Sequence, residues 1–170
     1  MIELKLTQDF PAGLDRLWAA FGRPDYPVQK YLALGATAVR TVRFSASAQA
    51  IDVELERDVP VDSRRLPSWA RWPAGRRQTL WHRSAWRRAG PTRATAELHI
   101  APLHLPVQAH ALGTITETSA GASRMVLSWR VSSDLPLVGA RVERLFADLI
   151  RTSLDADHAF TLRYLQAHGS

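Results

Sequence analysis

Six histidines, at positions 82, 99, 104, 110, 158 and 168, are the side chains of this chain best suited to moving protons or binding metals near neutral pH. Their spacing does not favour a metal. There is no HExxH pair, no CxxC, no acid-rich loop and no cysteine at all. His99 and His110 fall on strand-like runs that can pair, on the outer face by alternation, but two imidazoles alone do not make a zinc site. Asp157 and His158 stand side by side late in a helical segment, where a buried His–Asp pair could act as general acid and base. Consecutive helical residues, however, point about 100° apart, so the two are not expected to face one point. His82 shares a strand face with Trp86. Nucleophilic catalysis finds no GxSxG elbow, no SxxK and no thiol. No glycine-rich phosphate loop of the GxGxxG or GxxxxGK[ST] kind is present. We therefore expect no metal, no cofactor and no assigned catalytic residue, and a binding role rather than an enzymatic one.

A second constellation is electrostatic. Between Ser63 and Ala96 lie nine arginines and no acid until Glu97, interleaved with Trp69, Trp72, Trp81 and Trp86. The other 13 basic residues face all 16 acids, so the excess charge of +6 resides in this segment. Arg64, Arg65, Arg71, Arg76 and Arg77 form its candidate basic surface. Arginine with tryptophan suits an anionic membrane surface, and less well single-stranded nucleic acid. The plainer expectation is arginine stacked on tryptophan along an outer sheet face, with Glu54, Glu56 and Asp58 as cross-strand partners.

These residues need elements to hold them. The 170 residues suit one domain, taken as 1–170, with 46% hydrophobic content enough for a real core. The first 18 residues carry no signal-peptide pattern and nothing approaches a spanning apolar run, so a cytoplasmic protein is expected. Ile2, Leu4 and Leu6 alternate with polar residues as a half-buried strand does. Two short helices follow: one with Leu14, Leu17, Trp18 and Phe21 on one face, one over 25–33 ended by Gly35, in which Tyr26, Lys30 and Tyr31 are neighbours. Period-two runs then predict a hairpin over 39–55 and four further strands, 78–86, 92–100, 107–118 and 124–132, with 60–76 a Pro- and Trp-bearing loop or short lid. Last come 28 residues, 140–167, without Gly or Pro. Val142, Leu145, Phe146, Leu149, Ile150, Ala156, Phe160 and Tyr164 trace one face of this helix, which at 1.5 Å per residue spans about 42 Å. It is the one element large enough to cover a sheet face.

This order, with the opening strand and FPAGLDRLWAAF, resembles the START-like (SRPBCC) helix-grip superfamily of pollen allergens, lipid-transfer START domains and polyketide cyclases. LPSWARWPAG and LPLVGARVERLFADLIRTSLDADHAFTLRYL resemble, more specifically, the DUF2505 type of bacterial members. The resemblance implies an α+β fold, a seven-stranded curved antiparallel sheet with two short helices, gripping the long C-terminal helix across its concave face, with a cavity between them. The small inward side chains of 107–115, Val107, Ala109, Ala111, Gly113 and Ile115, are consistent with such space.

The expected wall comprises Trp86, Leu98, Ala109, Ala111, Leu127, Trp129, Phe146 and Leu149. The expected partner is an apolar small molecule, lipid- or polyketide-like, with peripheral membrane contact as an addition. A cyclase- or hydratase-like enzyme using the same cavity is the alternative, and an interaction module with a solid core and a basic Trp/Arg face is a third reading. An inward histidine or acid in a perturbed environment would favour the enzyme.

Overall fold

The fold was obtained as a computed structural model, which describes residues 1–62, 64, 68 and 75–169. Arg65, Arg71, Trp69 and Trp72 lie outside the described residues.

Strand β1 (Ile2–Phe10) leads into helices α1 (Leu14–Phe21) and α2 (Asp25–Ala33). Six strands follow: β2 (Ala38–Ala46), β3 (Ala50–Pro60), β4 (Arg77–Arg88), β5 (Arg93–Pro102), β6 (Val107–Ser119) and β7 (Ala122–Ser133). Helix α3 (Gly139–Ala167) ends the chain. The strands form one curved antiparallel sheet in the order β1-β7-β6-β5-β4-β3-β2. The first strand is thus carried to the far edge, and every other neighbour follows in sequence. Short connections explain why: the β6–β7 turn passes through Gly121 at φ +79, a left-handed conformation that glycine adopts without a Cβ penalty.

Alternation sets the inner face rung by rung. Leu55, His82, Ile100, Ala109 and Val131 share one rung, and Val53, Ser84, Leu98, Ala111, Trp129 and Leu4 share the next. Strand β2 departs from strict alternation. A bulge between Thr41 and Arg43 leaves Val42 58% exposed and turns both Val39 and Phe44, five residues apart, towards the core.

Helix α3 does not lie over the middle of the sheet. It packs on β7, β1 and β6, with α1 and α2 against it. The strands β3, β4 and β5 are left facing it across a gap. The ends of α3 are buried through Val142, Phe146 and Ala147 at one end and Phe160, Thr161 and Tyr164 at the other. Its middle is not: Leu149 is 55% exposed. Ala156, expected inward, is exposed, and Asp157 takes that place, because the inward line runs 150, 153, 154, 157, 161. Among the described residues no helix is long and apolar enough to cross a membrane.

Candidate functional site

The gap between α3 and strands β3–β5 is a cavity of about 520 Å³, within the usual size of small-molecule sites. Its apolar wall draws on every layer: Ile51, Leu55, Leu98, Ile100 and Trp129 from the sheet, and Phe146, Leu149 and Ile150 from α3. The far end is closed by an aromatic cluster. Phe21 of α1 lies 5.2 Å from Tyr26 and 5.7 Å from Trp86, and Tyr26 lies 5.0 Å from Tyr164, edge to face. Pro60, Asp62, Leu149 and Ser153 line the cavity and are also exposed, which locates its solvent side between mid-α3 and the end of β3.

Six of the residues expected on the wall, Trp86, Leu98, Leu127, Trp129, Phe146 and Leu149, line this cavity. Ala109 and Ala111 do not. Both are fully buried on the inner face but under the part of the sheet that α3 covers. The small residues of β6 leave no room of their own. A Cβ on Gly113 would meet Leu127 Cδ2 at 2.8 Å and Ala96 Cβ at 3.2 Å, so neighbours already occupy that space. The room comes instead from the offset of α3.

The cavity also has a polar side that the apolar pattern does not announce. Strand β4 turns Gln78, His82 and Ser84 inward, and β3 turns Arg57 inward two residues beyond Leu55. Helix α2 contributes Lys30 and Tyr31, and α3 contributes Asp157 and Thr161. Simple extension of the alternation from Ile51, Val53 and Leu55 reaches Arg57.

Their electrostatics divide into two groups. Lys30 Nζ lies 3.2 Å from Asp157 Oδ2 and 4.9 Å from the centre of the Tyr31 ring. Burial acts to lower the Lys30 pKa, but Asp157 and the two tyrosines more than offset it and hold the ammonium protonated. Thr161 donates to the Asp157 carbonyl at 3.0 Å, which leaves its oxygen to accept from the Tyr26 hydroxyl at 2.8 Å. Burial pushes the Tyr26 phenol well up. This group is internally satisfied.

The second group is not. The Tyr31 hydroxyl lies 3.0 Å from Nδ1 and 3.2 Å from Nε2 of His82. Burial, with the charges of Arg57 and Lys30, drives the His82 pKa well below its ordinary value, so the imidazole is neutral. The Arg57 Cζ lies over the Tyr31 ring, 4.2 Å from its centre, and its Nε is buried without a hydrogen-bond partner.

The other candidates disperse. His158 turns away from Asp157 to the Asp9 carbonyl, 2.7 Å from Nε2. His99 and His110 pair across strands on the outer face, 6.3 Å apart, engaged with Gln108 and Glu97. No group of three or more metal-ligating side chains occurs among the described residues. Arg64, Arg76 and Arg77 are exposed, and Arg64 pairs with Asp62 at 3.2 Å. The acids expected to hold the arginines of the 63–93 segment make their hydrogen bonds and ion pairs with other groups, though the charge of Arg77 also acts on Asp58. Glu56 and Asp58 hold Arg40 of β2, and Glu54 accepts from Trp81 Nε1 at 2.8 Å.

The family model for DUF2505, described as a protein of unknown function, matches residues 5–165. The chain belongs to the DUF2505 family. No curated protein matches the sequence. Solved structures share the helix-grip fold at low identity. Ara h 8.0201 is 12% identical with a TM-score of 0.61, the match covering 97% of this chain and 98% of that one. An aromatase/cyclase from Streptomyces sp. R1128 is 14% identical with a TM-score of 0.60, over 97% and 93% of the two chains. Norcoclaurine synthase from Thalictrum flavum, solved with dopamine and hydroxybenzaldehyde, is 11% identical with a TM-score of 0.59, over 99% and 88%. This DUF2505 chain therefore shares the helix-grip fold of these proteins.

Proposed function

We propose that this protein binds an apolar small molecule, lipid- or polyketide-like, in the cavity between α3 and strands β3–β5. One observation carries the reading: an interior space of about 520 Å³ walled mainly by Leu, Ile, Trp and Phe side chains and opening beside mid-α3. Leaving so much apolar surface without packing partners costs stability, which an occupant of matching chemistry restores. The same space counts against a solid-core interaction module. The test is native mass spectrometry of freshly purified protein with organic extraction, followed by titration with the neutral apolar dye Nile red. A co-purifying apolar mass or saturable dye binding is expected, and Ser84→Phe, which places a ring in the space, should weaken the dye. Folded protein that neither carries an apolar mass nor binds Nile red would refute the reading.

A second reading, an acid–base enzyme of cyclase or hydratase type, draws on the neutral His82 beside the Tyr31 hydroxyl. Its mark would be a Tyr31→Phe protein that still binds the extracted compound but no longer converts it. Equal conversion by both proteins would exclude Tyr31 from the chemistry.

A further inference from the structure

Most charges at the cavity are spoken for. Lys30 is committed to Asp157, and Asp62 accepts from Arg64. Arg57 differs. It occupies an inward position on a strand whose outward acids, Glu56 and Asp58, face the opposite side and hold Arg40. Its Cζ lies over the Tyr31 ring, a cation–π contact that supplies no conventional hydrogen-bond acceptor. Among the described residues no carboxylate pairs with it, and Nε is buried without an acceptor. A buried donor left unmatched in this way is costly unless something supplies the acceptor.

From this we propose that the cavity takes an amphipathic anion, a carboxylate on an apolar body, and that Arg57 receives the carboxylate. The assignment rests on the cavity being a binding site and names the class of its ligand. A guanidinium meets a carboxylate through two parallel N–H···O bonds. With Lys30 already neutralised by Asp157, one cation is available among the described lining residues, which suits a monoanion better than a phosphate dianion. The Tyr31 hydroxyl and His82 stand beside the head-group position as further hydrogen-bonding groups. Arg57 sits one rung nearer the exposed end of β3 than His82, so the apolar body points inward past Ser84 to Trp86 and Leu127.

The test compares three ligands of equal chain length, dodecanoate, dodecyl phosphate and dodecanol, by displacement of Nile red from the full chain stripped of bound lipid. Dodecanoate is expected to bind about tenfold or more tighter than dodecanol, the scale of a charge-assisted hydrogen bond. Arg57→Gln should erase that gap by weakening dodecanoate alone, and Arg57→Lys should restore part of it. Equal binding of acid and alcohol by the native protein would overturn the proposal without any variant, as would a preference for dodecyl phosphate or an undiminished acid preference in Arg57→Gln. In each of these cases Nile red still binds and the cavity reading survives. Failure of the native protein to bind the dye at all would sink both.

Discussion

His82 offers a direct physical test of the polar side of the cavity. It is 5% exposed, on an inner rung of β4, with Arg57 and Lys30 as the nearest cations. Neither burial nor these charges tolerates an imidazolium, so its pKa in the folded protein lies well below the ordinary 6.5. In the unfolded chain it titrates normally. Below pH 6.5 the unfolded state therefore binds a proton that the folded state does not, and stability falls as pH falls. For one such proton the loss is about 1 kcal/mol between pH 6.5 and 5.5, and approaches about 1.4 kcal/mol per unit below that, until the folded pKa is reached. His82→Gln removes the titration while keeping a partner for the Tyr31 hydroxyl. Urea denaturation of both proteins across this range reads the difference. The native protein should lose about 1 kcal/mol more than the variant between pH 6.5 and 5.5. Parallel stability–pH curves would mean that His82 titrates normally in the fold, and the description of a neutral imidazole facing the cavity would fall.

The partly buried Lys30–Asp157 pair makes a second prediction. Lys30→Met should destabilise by about 1–2 kcal/mol in urea melts by leaving Asp157 unmatched, and adding Asp157→Leu should recover most of it; no recovery would show that Lys30 acts by packing alone. At Ala111, fully buried but off the cavity wall, substitution by Phe should overpack the core and cost about 1–3 kcal/mol while Nile red affinity of the folded protein stays the same. Weakened dye binding at unchanged stability would instead return Ala111 to the wall.

Much of the fold was readable because the elements away from the cavity obey simple periods. β6 and β7 alternate cleanly, α1 buries Leu14, Leu17, Trp18 and Phe21 as its spacing implies, and α3 has no interior breaker. Strand β2 was readable as a strand but not in register, since a one-residue bulge at Val42 leaves no sequence mark. Strand β4 was the least regular to the eye, and the physical reason is specific. Its inner face carries Gln78, His82 and Ser84 among Leu80 and Trp86, so hydrophobicity does not report which side looks inward.

That irregularity and the cavity have one cause. A solid core admits an inward polar side chain only where the protein supplies its partner, as the Ala12 carbonyl does for Ser123, because an unpartnered one is costly. An inward position beside a cavity escapes that demand, since solvent or an occupant supplies the partner. Arg57, His82 and Ser84 lie on the strands that α3 leaves uncovered, whereas the inward positions of β6 beneath α3 are Val, Ala, Gly and Ile. Small residues opposite a helix therefore mark where the helix approaches closely, as Leu127 and Ala96 closing over Gly113 illustrate. Polar residues at inward positions of β3 and β4 mark where it does not. In this fold the break in alternation, rather than the run of small side chains, locates the cavity.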